Sequence, residues 1–422
     1  MNRKDLKGPV IKQASPGIIP EARCIKLKNN IPIFIIEAGS EKVIRLEFIF
    51  DAGHLREDKP LVASVTNLML TEGSAYHSSS FINKTLDWHG AFYNQYTERD
   101  RAGFTICFLE RHFEKLVKLS REILLNPAFP EKELSILLKK RYQHFLINRE
   151  KVQNLALEKF FNSIFGNHPY GIMIRPEDFR NIKTDDLKDF HSKYYVPCNM
   201  AILVTGSIPE AMIDLLESSF GDLPVSVVPQ KINKSPRSRS RKYISIVKKN
   251  AIQAAVVIGS PTINKCHADY PGLKILNAIL GGYFGSRLMK NIREEKGYTY
   301  GITSSVTSLK MSGYKIISAE VNKKYAQATI DEIFKEIRTL QKKPVGKEEL
   351  KIVKNYMLGE MVRMFDGMFA LAYSFRSVWD FDLDNSYFYR FTEKIKSIKA
   401  EEIISLADTY YNIDDLYVIT AG

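Results

Sequence analysis

The pattern of apolar and polar residues predicts several β-strands in the first half of the chain. Ile44, Leu46, Phe48 and Phe50 occupy every second position, which is typical of a strand with one face against a core. Other short apolar segments are bounded by turn residues. They predict further strands at 25–27, 33–36, 91–97, 103–109 and 200–204.

Apolar residues recur at helical spacing in the segments between these strands. They predict helices over 61–70, 81–88, 113–125 and 187–194, and one long helical stretch from Pro130 to about Phe165. The strands and helices come in runs rather than in strict alternation. This order favours the α+β class, with a mainly antiparallel sheet and helices packed on one of its faces.

The chain contains an internal repeat. A shift of 216 residues aligns three segments without gaps, namely 129–137 with 345–353, 182–187 with 398–403, and 194–206 with 410–422. Shorter offsets match 67–70 with 277–280, and Gly90 with Gly297. One offset that serves three segments indicates a duplicated domain.

The second half repeats the order of elements of the first. We therefore predict an N-terminal domain over 1–226, a linker over 227–242 and a C-terminal domain over 243–422. Two such domains leave a cleft between them, and clefts between domains are where ligands usually bind.

The chain is basic, with 61 Lys and Arg against 48 Asp and Glu and a net charge of +13 over 422 residues. Six of the basic residues fall within 231–242, among prolines and serines that oppose regular structure. No aromatic residue there offers a surface on which bases could stack. The segment therefore predicts a solvated linker, and we expect no nucleic-acid partner. An acidic partner surface or acidic peptide is the alternative.

The four cysteines lie far apart, which predicts reduced thiols in the core rather than a disulfide framework. No apolar stretch approaches the ~20 residues of a membrane span. The charged beginning of the chain leads into no apolar region of the kind found in signal peptides. We therefore expect a cytoplasmic protein without membrane contact. The frequent Lys and Ile residues point to a bacterial source.

The segment most suggestive of chemistry lies in the second half. A helix over 287–295 is predicted to end at Gly297, and the following strand places Tyr298 and Tyr300 on one face. Arg293 and Tyr300 then point into the same space, where a guanidinium and a phenol suit peptide carbonyls and a developing oxyanion. The structural alternative is that Arg293 offsets the helix C-terminus while Tyr300 caps the sheet.

This segment resembles the second-half pattern of the insulinase/pitrilysin-like zinc peptidases, which include mitochondrial processing peptidase. The matching residues are Gly281-Gly282, Ser286-Arg287-Leu288, Arg293-Glu294, Gly297 and Tyr300. Further landmarks follow the family order at Asp51-Ala52-Gly53, Glu72-Gly73-Ser74, Asn126-Pro127-Ala128-Phe129 and His168-Pro169-Tyr170-Gly171. The resemblance covers nearly the whole chain and implies the family's duplicated layout.

The sequence departs from this family at the metal motif. Family members carry H-x-x-E-H on the first helix, where two histidines bind zinc and the glutamate activates water. With Gly73 as the anchor, those positions hold Ser64, Asn67 and Leu68. The third family ligand is expected near His144, where no acid occurs. No two of the eight histidines are three to five residues apart, so we expect no metal and no other cofactor on this chain.

The resemblance implies a division of labour, because some members of the family work as two different chains. A homologous partner with H-x-x-E-H would bring the zinc and the general base. This chain would be the non-catalytic, substrate-binding subunit of a heterodimeric peptidase that encloses peptides in a chamber. The Tyr300 hydroxyl would donate to the scissile carbonyl, and Arg293 would hold a neighbouring main-chain carbonyl. The peptide would pair as an extra strand on an exposed sheet edge.

Two other hypotheses stay open at this point. The chain could be a scaffold or binding protein on a retired peptidase fold, with no role in proteolysis. It could also be a stand-alone hydrolase with unorthodox metal ligands. The sequence further leaves open a homodimer in the absence of the partner.

Overall fold

The structure, a computed structural model, describes residues 17–224, 236, 238–239 and 241–422. Each half of the chain forms one sheet from its own strands, and helices surround both sheets. The predicted α+β fold of two homologous domains is therefore confirmed.

Within residues 17–224, the first half supplies six strands and eight α-helices. The strands are β1 (Arg23–Lys26), β2 (Pro32–Glu37), β3 (Val43–Phe50), β4 (Phe92–Thr97), β5 (Ala102–Leu109) and β6 (Met200–Gly206). The helices are α1 (Val62–Met69), α2 (Ser79–Trp88), α3 (Phe113–Leu125), α4 (Glu131–Arg149), α5 (Val152–Phe165), α6 (Asp178–Asn181), α7 (Thr184–Tyr194) and α8 (Met212–Phe220).

The second half follows the same order with fewer strands. Its strands are β7 (Tyr243–Ile246), β8 (Gln253–Thr262), β9 (Thr299–Leu309), β10 (Ser312–Asn322) and β11 (Tyr417–Ala421). Its α-helices are α9 (Tyr270–Asn277), α10 (Ala326–Lys342), α11 (Lys347–Arg363), α12 (Gly367–Trp379), α13 (Ser386–Ser397) and α14 (Ala400–Tyr410). Two π-helical segments, Ala278–Gly282 and Met289–Glu295, lie between α9 and β9.

The two sheets share one topology. The order is β1-β2-β6-β3-β5-β4 in the first and β7-β11-β8-β10-β9 in the second. Strands β2 to β6 thus correspond to β7 to β11, and within the described residues β1 has no counterpart in the second sheet. Pairing is antiparallel except for β2 with β6 and β7 with β11. As a result, β4 and β9 occupy the equivalent outer edge of their sheets.

The repeated segments explain the start of two long helices. α4 follows Pro130 and α11 follows Gly346, and each carries two glutamates in its first turn. Carboxylates at this end are favourable because the helix dipole is positive there. The duplication therefore preserved the charge that stabilises the beginning of both helices.

The predicted single helix from Pro130 to Phe165 is wrong, because the chain breaks between α4 and α5. Lys151 adopts an extended conformation, with φ −86° and ψ 122°. The Lys248 ammonium group donates to the Glu150 carboxylate at 2.7 Å, which ties the break to the second half of the chain. The break lets α5 turn onto the second sheet.

One helix from each half packs against the sheet of the other half, α5 on the second sheet and α12 on the first. Phe160 of α5 is fully buried against Val257 and Ile419 of the second sheet. Leu371 of α12 packs in turn against Leu203 of the first sheet. These contacts cover the faces opposite the main helical layers, and each large side chain buried there contributes about 2–3 kcal/mol.

Buried charges fix the exchanged helix α12. The Arg376 guanidinium donates to the fully buried Glu47 carboxylate at 3.0 Å and to Asp380 at 3.3 Å. Glu47 also accepts from the Tyr96 hydroxyl at 2.8 Å and pairs with Arg45 at 2.6 Å. Burial of this phenol next to a carboxylate raises the pKa of Tyr96 well above its ordinary value. The two halves are therefore joined by polar as well as apolar contacts.

All four cysteines are free thiols, as the sequence predicts, but their predicted place in the core is wrong. Cys24 and Cys266 are exposed, and Cys107 and Cys198 are partly buried. The apolar core is instead built mainly from Ile, Leu, Val and Phe residues of both the sheets and the helices.

The predicted linker over 227–242 falls largely outside the described residues, and the domain boundaries stay a prediction. In its described part, the backbone N–H of Arg239 donates to the Ser163 carbonyl at 2.8 Å. No helix in the described part of the chain is both long enough and apolar enough to span a membrane.

Candidate functional site

The three positions of the metal motif lie on α1 and are occupied by structural side chains. Ser64 and Asn67 are buried, and the Ser64 hydroxyl donates to the Leu61 carbonyl at 3.1 Å. The Asn67 amide donates to the Gly103 carbonyl at 3.2 Å and to the Tyr195 hydroxyl at 3.0 Å. Asn67 therefore joins α1 to the sheet and to the end of α7.

A zinc ion of the family type does not fit these residues. Leu68 offers no donor atom, and the Asn67 amide nitrogen, which donates to Gly103 and Tyr195, has no lone pair for a metal ion. His144, near the expected third ligand, is exposed on α4. Within residues 17–224 and 241–422, no group of three or more His, Cys, Asp or Glu side chains is placed to hold a metal ion. The side chains at the three motif positions therefore cannot form a zinc site of the family type.

The structure brings together two histidines that sequence spacing does not connect. The Nδ1 atoms of His89 and His112 are 3.2 Å apart, and their rings are tilted with centroids 4.6 Å apart. Burial, together with the nearby His112 and Lys115, lowers the pKa of His89. A neutral His89 imidazole hydrogen-bonded to its neighbour explains this pair without a metal.

In the second half, the predicted helix over 287–295 is found, and most of it is π-helical. The Tyr298 backbone N–H donates to the Ile292 carbonyl at 3.0 Å, and Gly297 has a φ of +64°. This left-handed conformation is accessible to glycine at little cost, which confirms the predicted helix end.

A β-bulge places Tyr300 at the edge of the second sheet. Ala319 pairs with Ile302 and Val321 with Thr299, so Tyr300 and Gly301 together oppose the single residue Glu320. The Thr299 hydroxyl holds the bulge by donating to the Glu320 carbonyl at 2.6 Å. Such an extra residue redirects the side chains of its strand, and Tyr300 is 95% exposed.

Tyr298 and Tyr300 have different surroundings, contrary to the predicted shared face. Tyr298 precedes β9 and stacks on Tyr325, with ring centroids 4.5 Å apart. It packs against the core of the second half, whereas the Tyr300 ring extends into solvent. The bulge and the late start of the strand separate the two rings.

Arg293 lies against an aromatic ring and, among the residues that the structure describes, forms no ion pair with an acid. Its guanidinium carbon lies 4.6 Å from the centre of the Phe284 ring, and Phe284 is 64% exposed. A guanidinium stacked in this way keeps the N–H groups at its rim available. Arg293 lies in the last turn of the π-helix and Tyr300 is the second residue of β9, so the two residues lie on either side of Gly297 in the chain.

Further contacts support this segment, and the sequence did not predict them. Arg287 forms a two-pronged ion pair with Glu349 of α11 at 2.8 and 2.9 Å, and this hydrogen bonding raises the pKa of Arg287. Tyr283 stacks on Tyr356, also of α11, with centroids 4.8 Å apart. Tyr283 and Phe284, two aromatic residues within the glycine-rich segment 281–285, are the only features of the sequence that could have indicated these stacking contacts.

Comparisons with known proteins agree with the fold. A family model described as insulinase (peptidase family M16) matches residues 33–176, and one described as peptidase M16 inactive domain matches residues 181–357. A crystal structure of a peptidase M16 inactive domain from Pseudomonas fluorescens has a TM-score of 0.83 at 23% identity. The match covers 95% of this chain and 98% of that one.

Two curated relatives carry different descriptions. An uncharacterized zinc protease, YmxG of Bacillus subtilis, is 23% identical over 73% of this chain and 76% of its own length. A protein of Helicobacter pylori described as a non-peptidase homolog is 22% identical over 69% of this chain and 68% of its own length. The chain is therefore similar both to proteins described as proteases and to one described as a non-peptidase.

Proposed function

The chain belongs to the insulinase family, peptidase family M16, as a non-catalytic member, and we propose that it is the substrate-binding subunit of a heterodimeric zinc peptidase. In this proposal a homologous partner with H-x-x-E-H supplies the zinc and the general base. The observation that carries the proposal is Tyr300, whose phenol is exposed on an edge strand in a chain without metal ligands at its motif positions.

The edge strand β9 supports a role in peptide binding. In the described part of the chain β9 pairs with β10 alone, so its other side keeps free backbone donors and acceptors. An extended peptide can add to such an edge through main-chain hydrogen bonds. We therefore place the substrate along β9 in this proposal, with Tyr300 beside its backbone.

The two side chains would have separate roles toward this peptide. The Tyr300 hydroxyl would donate to the scissile carbonyl as negative charge develops on its oxygen. Arg293, oriented by Phe284, would hold a neighbouring carbonyl and so fix the position of the bond relative to the partner's zinc. The proton transfers would belong to the partner.

The test is to purify the chain with a homologue that carries H-x-x-E-H and to measure cleavage of an unfolded peptide by each chain and by the mixture. We expect cleavage to require both chains. Arg293→Ala should lower turnover by about tenfold because a positioning contact is lost, while the complex still assembles. Arg338→Ala, which changes an exposed arginine on α10, is the matched control and should cleave at the original rate.

Two outcomes would contradict the proposal. One is a complex that assembles but cleaves no peptide beyond the partner alone, which would favour a scaffold or binding role without proteolysis. The other is full activity of the Arg293→Ala complex, which would remove the assigned role of this residue.

A further inference from the structure

The first half contains a concave site that is separate from the β9 edge. A cavity of about 340 Å³ lies where the end of α4, the start of α5 and the segment 170–174 meet. Its apolar wall consists of Phe145, Leu155, Phe161, Ile172 and Ile174. This volume lies at the lower end of the range found for small-molecule sites, so a ligand of about the size of a dipeptide fits it.

Glu158 is the acid in the wall of this cavity. It is half-buried, and in the described part of the chain its carboxylate has no hydrogen bond or ion pair. Loss of water raises the pKa of Glu158, and the charge of Arg149 opposes this rise. A carboxylate that has lost water without gaining a donor is unfavourable, and an ammonium group in the cavity would relieve that cost.

Two guanidinium groups line the same cavity. Arg149 lies over the Phe145 ring at 5.4 Å, and Arg99 lies over the Phe161 ring at 4.4 Å while one of its N–H groups donates to the Tyr170 carbonyl. Stacking holds each guanidinium flat and leaves N–H groups at its rim for an acceptor. The cavity thus combines one anionic group, two cationic groups and an apolar wall.

We propose that this cavity binds a short apolar peptide with both termini free. Its α-ammonium group is paired with Glu158, its carboxylate with the guanidinium groups of Arg149 and Arg99, and its apolar side chains with Phe145 and Phe161. A ligand that lacked either terminal charge would leave one of these groups without a partner, so the site selects zwitterions. The proposal does not depend on the proposed function, because these residues lie on different elements from Arg293 and Tyr300.

Isothermal titration of the full chain with the dipeptide phenylalanyl-leucine tests this proposal. We expect saturable binding of one dipeptide per chain. The N-acetylated dipeptide and the dipeptide amide should each bind about tenfold or more weakly, since each loses one charge-assisted hydrogen bond. This comparison needs no variant, so it does not depend on how well a variant folds.

Substitutions assign the two ends. Glu158→Gln should weaken phenylalanyl-leucine about tenfold and leave the affinity for the N-acetylated form unchanged, because that form has no ammonium group to lose. Arg149→Gln should weaken the binding of the free dipeptide about tenfold and leave the affinity for the dipeptide amide unchanged, because the amide has no carboxylate. Glu348→Gln, on the exposed side of α11, is the control and should bind like the original chain.

Three results would overturn the proposal. They are no saturable binding of phenylalanyl-leucine, equal affinity for the free and blocked dipeptides, or equal weakening of the free and N-acetylated forms by Glu158→Gln. The first would exclude the ligand class, and the other two would exclude recognition of the termini.

Discussion

The two halves use the same turn to reach their outer strands, but they treat the tyrosine beyond it differently. Gly90 and Gly297 both have a left-handed φ, of +59° and +64°, between a helix and an edge strand. Three residues further on, the Tyr93 hydroxyl donates to Asn83 at 3.1 Å and its ring is 37% exposed, whereas Tyr300 is 95% exposed. The duplicated framework thus holds one tyrosine against the protein surface through a hydrogen bond and extends the other into solvent.

The first helix of each half shows the opposite tendency, because there the halves have become alike. Asn277 of α9 matches Asn67 of α1 in the repeat, and both are buried. Asn277 accepts from the Tyr411 hydroxyl at 3.4 Å, while Asn67 donates to Tyr195 at 3.0 Å. Position 67 is where the family's catalytic glutamate would lie. Here it has the same structural role as Asn277, namely a buried hydrogen bond to a tyrosine.

The largest expected effect concerns the two edge tyrosines. If the proposed function holds, Tyr300→Phe lowers turnover of the mixed complex about 100-fold, or about 2.7 kcal/mol, because a donor to the developing oxyanion is lost. Tyr93→Phe should leave turnover within about twofold, since its hydroxyl is bound to Asn83. Peptide cleavage by complexes with each variant measures both values. Equal losses would mean that the two edges are not functionally different.

A smaller effect distinguishes the charges buried in the two sheets. The first sheet buries Arg45 and Glu47 as an ion pair, whereas Lys315 of the second sheet donates to the Ser260 hydroxyl at 2.5 Å. Burial lowers the pKa of Lys315 to about 8 from an ordinary value of 10.5. Between these values the unfolded chain binds more protons than the folded one, so stability rises with pH.

Lys315→Met removes this dependence. From pH 8 to pH 10, the free energy of unfolding of the original chain should gain about 2 kcal/mol relative to that of the variant. Urea unfolding at the two pH values measures this change. The control is Lys351→Met, at an exposed lysine of α11. Its free energy of unfolding should differ from that of the original chain by the same amount at both pH values. A constant difference for Lys315→Met would show that its ammonium group is well solvated.

The smallest expected effect concerns the paired asparagines. Asn67→Ala and Asn277→Ala should each lower the free energy of unfolding by about 1–2 kcal/mol, because each removes hydrogen bonds inside the core. Urea unfolding of the two variants compares them directly. A neutral Asn67→Ala beside a costly Asn277→Ala would mean that position 67 has not acquired the structural role of its counterpart.

Much of the fold follows from local patterns. The alternation that ends at Phe50 predicts β3, and the repeat around residues 129–137 and 345–353 predicts the matching starts of α4 and α11. The break at Lys151 was not predicted, because Glu150 is tied to Lys248, almost 100 residues away. Helical spacing continues across this break, so the sequence pattern contains no sign of it.

The candidate site divides in the same way. The lost metal ligands at Ser64, Asn67 and Leu68 and the pair Arg293 and Tyr300 can be read from motif positions. The support of Arg293 by Phe284 and the bulge under Tyr300 cannot, because they depend on ring orientation and on strand register. The cavity around Glu158 is likewise assembled from segments far apart in the chain.

The sequence by itself determined the duplicated α+β domains, the family and the absence of zinc ligands at the motif positions. These properties depend on residue type and spacing along the chain. Only the tertiary structure decided that α5 and α12 cross between the halves and that Tyr300 is exposed while Tyr93 is held. Those properties arise from burial and hydrogen bonding between segments that the chain order separates.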